Sequence, residues 1–388
     1  MTARGPGTPT LGERRLQYVS VSTLPSSSAN AIQVSRMCEA FANAGRGVRL
    51  HARANRRSGR VSDTEVFAYY GVAETFELSL YRGRVLRDAR MGLRAGMASG
   101  AVIYGRNISA AHLSARLGRP VVLEIHHPFG PERAEHAHLK RLSRERCCLG
   151  IVAISNALAR RLAEDFPGFA GRILVAPDAA NPLTATTASA SAAGASSGFH
   201  VGYAGSLYAG KGFRRIVDLA QQLPWATFHV IGDTHPLAKR GIDIEALPPN
   251  VVMHGHQHPH RVGDLIAGCD VLLAPYRRQV KPHASLDIAP WMSPLKVFEY
   301  MSAAKPIVAS DLPVIREVLT HEETALLCAA EDDAAWLTAL TRLAREPQLA
   351  GRLATNAHAL WADHYTWDAR ARAILTWMDD RLAAAGFR

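Results

Sequence analysis

The chain has 388 residues, 48% hydrophobic and 20% charged, which suits about two packed α/β domains and excludes a disordered chain. A formal charge of +11 favours anionic partners such as phosphate-bearing substrates or an acidic membrane surface, while the lack of any recognition motif argues against nucleic acid. No apolar run nears the roughly 20 residues of a membrane span, no apolar h-region accompanies Arg4, Arg14 and Arg15, and five cysteines without CxxC spacing predict neither disulfides nor a structural zinc; a cytoplasmic chain is expected.

From the start, β-rich runs alternate with amphipathic stretches: Tyr18 to Ser22, a helix over Ala29 to Ala44, then Val48 to His51, Ala101 to Tyr104, Val121 to His126 and Ile151 to Ile154. That alternation predicts a parallel sheet with crossover helices. Between the second and third of these strands, Arg82, Arg84, Arg87, Arg90 and Arg94 are interspersed with Leu86, Met91, Leu93 and Met97. The pattern fits either a basic amphipathic helix lying on anionic lipid or a plainly solvated face. The run Thr184 to Gly198 is small, uncharged and aperiodic, and reads as a linker. The expected domains are therefore 1–182, a linker over 183–198, 199–360, and a C-terminal helix over 361–388 packing back on the first domain.

After the linker the pattern restarts with His200 to Tyr208, a helix over Gly212 to Gln222, and strands at Thr227 to Ile231, Val251 to His254 and Val271 to Ala274. A helix over Pro294 to Ala303, a strand at Pro306 to Ala309 and helices from Asp332 onward follow, so the second half is another doubly wound domain. Ligands of such sheets bind beyond the carboxyl ends of the strands, and two facing domains enclose a cleft.

The run Gly205-Ser206-Leu207-Tyr208-Ala209-Gly210-Lys211-Gly212 joins a strand to a helix. Glycines allow close backbone approach, the helix N-terminus offers N–H groups, and Lys211 adds a charge, which suits a diphosphate. The spacing is not that of a P-loop. Read alone, the run is equally a glycine-rich turn with a surface lysine. In Ser293-Pro294-Leu295-Lys296-Val297-Phe298-Glu299, Ser293 suits an N-cap and Pro294 the first helical position. Glu299 lies a turn and a half on, where it is either a ribose-diol acceptor or a solvated glutamate. In the loop Ser26 to Asn30 after the first strand, Ser28 suits an N-cap. His254, His256, His258 and His260 alternate as on one strand face, but Pro259 interrupts them and no metal site is expected.

The runs AGSLYAGKG, HGH…DLIAGCDVLLAPY and SPLKVFEYMSAAKPIVASDLPVIREVL together resemble the donor-binding domain of family 4 retaining glycosyltransferases, with looser agreement at VVLEIHHP, VAISNALARRL and ILVAPDAAN. The resemblance implies a GT-B fold, α/β with two Rossmann-like doubly wound domains facing across a cleft. It implies transfer of a sugar, with retention, from a nucleotide diphosphate sugar to a hydroxyl of a glycan, glycolipid or lipid-linked acceptor, without a metal or other cofactor. Lys211 would hold the diphosphate, Glu299 the ribose, and the Pro294, Leu295 and Lys296 amides the phosphate and sugar; His126 matches the histidine beside the transferred sugar, with His127 one residue out of register.

Gly205, Ser206, Gly212 and Asn30 complete the expected donor site. Two departures stand out. Ser206 occupies the place of a frequent arginine and Trp291 that of a second glutamate, and Lys296, with Arg277, Arg278 or Lys281, is expected to restore the charge. The role implied is cell-surface polysaccharide or glycolipid synthesis at the inner face of the membrane. A catalytically impaired nucleotide-sugar-binding scaffold and a sugar-nucleotide epimerase are the competing readings.

Overall fold

The computed structural model describes residues 14–55, 61–83, 86–183, 198–281 and 287–387. Arg84, Lys281's neighbours 282–286 and linker residues 184–197 lie outside them. Two units emerge, Met1–Pro177 with Trp367–Arg388, and Asp178–Thr366.

Unit 1 opens with β1 (Leu16–Leu24), α1 (Ala29–Asn43), β2 (Val48–Ala54), α2 (Asp63–Tyr70), β3 (Glu77–Tyr81), α3 (Arg87–Met97), β4 (Val102–Gly105) and α4 (Ile108–Arg116). It continues with β5 (Val121–Ile125), α5 (Ala134–Leu142), β6 (Cys148–Ala153), α6 (Asn156–Asp165) and β7 (Ile173–Val175). The strands form one parallel sheet in the order β3-β2-β1-β4-β5-β6-β7. Helices cover both faces, so central strands are buried throughout: every residue of β5 and β6 is inaccessible. Strand order reverses between β1 and β4, the point at which such sheets open a crevice.

Helix α3 forms despite Gly92 and Gly96 because those glycines are packing requirements. A Cβ at Gly92 would stand 2.4 Å from the Ala110 carbonyl oxygen, and one at Gly96 2.7 Å from Leu117, so the pair lets α3 lie close on α4. Ser114 Oγ seals the contact by donating to the Gly92 carbonyl at 2.8 Å.

Unit 2 contains β8 (Phe199–Ala204), α7 (Phe213–Gln222), β9 (Ala226–Ile231), α8 (His235–Ala238), β10 (Val251–Gly255), α9 (Pro259–Ala267) and β11 (Val271–Ala274). Then come α10 (Leu295–Ser302), β12 (Ile307–Ser310), α11 (Pro313–Arg316), β13 (Leu326–Cys328), α12 (Asp333–Arg345) and α13 (Pro347–His364). The parallel order is β10-β9-β8-β11-β12-β13, with the reversal between β8 and β11. One face carries Val201, Tyr203, Phe228 and Val230 against Phe213, Ile216, Leu219 and Trp336 in a continuous core.

Helix α13 runs unbroken past residue 361, because its indole at Trp361 is buried and donates to the Ala180 carbonyl at 3.3 Å. The chain therefore re-enters unit 1 only at Trp367, as α14 (Trp367–Ala384), not at 361. There α14 packs on α1 and β6, and Arg46 clamps Asp379 with one contact at 2.6 Å.

Candidate functional site

In unit 2 the loop after β8 leads into α7 beside the end of β11, at the sheet's reversal. Gly212 sits just before α7 at φ +86°, and a Cβ there would stand 1.8 Å from the Pro275 carbonyl oxygen. A left-handed backbone pressed against the β11 end admits only glycine. The loop and Tyr276 are thereby held side by side.

Two lysines meet there. Lys296 Nζ lies 3.6 Å from the Tyr203 ring centre and 5.2 Å from that of Tyr276. Lys211 Nζ lies 4.6 Å from the other reach of Tyr276 and 5.2 Å from Tyr208. Tyrosine and lysine thus alternate, and among the described residues neither amine pairs with a carboxylate. Lys296 is only 7% exposed, and its Nζ has no hydrogen-bond partner.

Burial, then the neighbouring Lys211 charge, holds the Lys296 amine well below the usual lysine range, with Glu299 pulling the other way. Burial likewise brings the Lys211 amine down to about 8. Crowding by protein pushes the Glu299 carboxyl up to about 7 against the pull of Lys296, although the side chain keeps a solvent-exposed edge. A cation–π contact is worth about 0.5–2 kcal/mol, whereas an unneutralised buried ion costs several. The rings do not cover the cost; an anion would.

Gly205 borders this amine: a Cβ there would stand 3.2 Å from Lys296 Nζ. Ser206 is exposed, and its carbonyl accepts from the Tyr203 hydroxyl at 2.8 Å. Helix α10 starts at Leu295, one residue later than expected, with Pro294 in the cap position. Ser293 does not cap it because its Oγ accepts the Asp178 N–H at 2.8 Å. Arg277 is engaged with Glu331 at 2.7 Å, and Lys296 is a cation that borders the glycine loop.

The histidines of the fourth motif do not share a strand face. β10 ends at Gly255 and Pro259 begins α9. His254 instead joins an imidazole chain across three strands, 3.0 Å from His229, which is 3.0 Å from His200.

In unit 1 Asn30 and His126 occupy the α1 start and the residue after β5. Ser28 holds the cap position but makes no capping bond; its hydroxyl donates to Asn30 Oδ1 at 2.6 Å. His126 Nε2 lies 2.6 Å from Oε1 of Glu124, while His127 Nδ1 turns to the Pro128 carbonyl at 3.0 Å. Glu124 and the three tyrosines were not singled out from sequence. A carboxylate inside the apolar run Val-Val-Leu-Glu-Ile was the available signal for the first.

Residues 198–346 match the family model described as Glycosyl transferases group 1. That segment is similar to the group 1 glycosyltransferases. Among solved structures, HepE of Anabaena in complex with UDP is 16% identical at a TM-score of 0.69, covering 94% of this chain and 100% of that one. A glycosyltransferase from Rickettsia africae is 11% identical at 0.75, covering 95% and 99%. WaaG, a glycosyltransferase involved in lipopolysaccharide biosynthesis, is 14% identical at 0.60, covering 93% and 99%. At these identities the likeness is one of fold, the GT-B class with two Rossmann-like domains. No curated protein sequence matches the chain. The group 1 segment includes the whole of the Lys211, Lys296 and Glu299 cluster.

Proposed function

We propose that this protein is a retaining glycosyltransferase that takes a sugar from a nucleoside diphosphate sugar and delivers it to a hydroxyl of a glycan, glycolipid or lipid-linked acceptor. The observation that carries the reading is the pair of lysine amines, Lys211 and Lys296, set against tyrosine rings and, among the described residues, in salt-bridge contact with no carboxylate. A diphosphate supplies the missing negative charge. Because charge on that diphosphate grows as the glycosidic bond breaks, the same amines favour the transition state over the ground state. Glu299, one helical turn from Lys296, takes the ribose hydroxyls; His126 faces the transferred sugar. Nothing in this scheme calls on a metal.

The membrane belongs to the same reading. On α3 the outward side chains include Leu86, 71% exposed, and Met97, 70% exposed, with Leu93, Arg90 and Arg94 between them. Apolar groups and guanidinium groups on one face suit an anionic bilayer surface. No helix among the described residues is long and apolar enough to cross a membrane, so contact would be peripheral. The role proposed is cell-surface polysaccharide or glycolipid synthesis.

The deciding measurement is thermal stabilisation by UDP-, GDP-, ADP- and dTDP-sugars, for the native chain, Lys211→Ala and Glu299→Ala. One nucleotide series is expected to stabilise by about 2.7 kcal/mol at a hundredfold excess over its Kd, and to lose that effect in both variants. Stabilisation by none of them sinks the donor site. Binding without transfer to any acceptor would favour a nucleotide-sugar-binding scaffold.

A further inference from the structure

The carboxylate beneath His126 is unusual in how completely it is satisfied. Glu124 is 1% exposed, in the middle of β5. Its Oε1 accepts from Gln33 Nε2 at 2.6 Å, His126 Nε2 at 2.6 Å and Arg370 Nη2 at 3.2 Å. Oε2 accepts from the Tyr104 hydroxyl at 2.5 Å. Each donor is itself held. Gln33 Oε1 accepts from Arg106 at 3.2 Å, which fixes which way its amide faces. Arg370, from α14, also donates to the Pro177 carbonyl at 2.8 Å and the Ala176 carbonyl at 3.2 Å. Four elements of unit 1 converge on one side chain.

Burial alone would raise this carboxyl, but Arg370 and the His126 bond hold it well below the usual carboxylate range. An ionised carboxylate only accepts hydrogen bonds, so the histidine nitrogen facing it must carry a hydrogen. The neutral ring is then the Nε2–H form, with its lone pair on Nδ1. We propose that Glu124, anchored by Arg370, Tyr104 and Gln33, is the positioning residue that fixes His126 in the Nε2–H form and makes Nδ1 the ring's acceptor toward a substrate hydroxyl. This rests on the proposed role of His126 beside the transferred sugar. The charged and titratable groups around Glu124 include Arg106, Arg370, His126, Tyr18, Tyr104 and Cys38, and Asp178, whose carboxylate lies within 4.8 Å of both Glu124 and His126.

The test is nitrogen-15 NMR of the full chain labelled at histidine, with His126 assigned from the spectrum of His126→Gln. The native protein is expected to show His126 as the Nε2–H form; an Nδ1–H form overturns the proposal outright. In Glu124→Gln the amide offers donor and acceptor alike, so the two forms should mix and the titration midpoint should fall by about one pH unit or more. Glu124→Gln/Arg370→Gln removes both charges and guards against misfolding; an Nε2–H form that persists unchanged in both variants also overturns it. With the nucleotide sugar that stabilises the chain, Glu124→Gln should lower kcat about 10- to 100-fold while the donor KM stays within about twofold, by analogy with the supporting partners of metal-bound histidines. A rise in KM with kcat unchanged would assign Glu124 to binding. Full turnover in His126→Ala would sink the role of His126 itself while leaving the tautomer result standing.

Discussion

Each unit buries charge beneath the end of its sheet, and the two do so in opposite ways. In unit 1 the Glu124 carboxylate receives hydrogen bonds from four side chains, one of them a guanidinium. In unit 2 the Lys296 amine makes no hydrogen bond and rests on a tyrosine face. A satisfied buried charge holds neighbours in place; an unsatisfied one stores a demand for a ligand. On the proposed reading, the contrast is one between positioning in the first unit's cluster and binding in the second's.

Opposite signs of stability follow. Glu124→Ala strands Arg370 in the core and should destabilise unit 1 by about 3–5 kcal/mol, the loss that attends removal of one partner from a buried pair. Lys296→Met removes a buried amine that makes no hydrogen bond and should leave unit 2 equally stable or about 1–3 kcal/mol more so, while donor affinity and turnover fall. Calorimetry with and without UDP reads both. If Lys296→Met or Lys296→Ala binds donor and turns over normally, Lys296 does not replace the charge that Ser206 lacks.

Much of this comparison was legible in the sequence, but unevenly. The alternation of apolar runs and amphipathic stretches marked both sheets because parallel strands are buried on two faces, as Val271–Ala274 is. The half-exposed edge strand Glu77–Tyr81 and the three-residue strands Ile173–Val175 and Leu326–Cys328 carry too little pattern to stand out. Lys211, Lys296 and Glu299 were singled out through motif order. Their tyrosine cage was not, since Tyr203 and Tyr276 lie 73 residues apart in sequence and meet only through the β8–β11 pairing. Pro259, which already argued in sequence against a four-histidine strand face, starts a helix.

A smaller effect sharpens the binding half. With the empty-site amine of Lys211 at about 8, the ammonium that attracts a diphosphate is lost as pH rises through that value. Affinity for the nucleoside diphosphate whose sugars stabilise the chain should therefore fall about tenfold between pH 7 and pH 9, and binding at the upper end should take up a proton. Folding runs the other way. The unfolded lysine keeps its proton to higher pH than the folded one, so this group makes the empty protein more stable as pH rises from about 8 toward the ordinary lysine range. Titration calorimetry in buffers of different ionisation enthalpy checks the proton uptake; an affinity that does not change with pH would mean that Lys211 stays charged in the empty site.

The smallest effect concerns the surface of unit 1, where charge meets water and no cage exists. Arg90 and Arg94 on α3 are exposed, each worth about 1 kcal/mol beside an anionic bilayer and screened by salt. Co-sedimentation with phosphatidylglycerol-containing vesicles should drop in Arg90→Glu/Arg94→Glu and in high salt, and Leu93→Asp should weaken it further by removing the apolar part of the same face. Because Gly92 and Gly96 pack α3 on α4 from the opposite side, these changes leave the helix seated and the sheet beneath it intact. Vesicle binding that survives all three changes would mean that α3 is a solvated face and that another surface of the protein meets the bilayer.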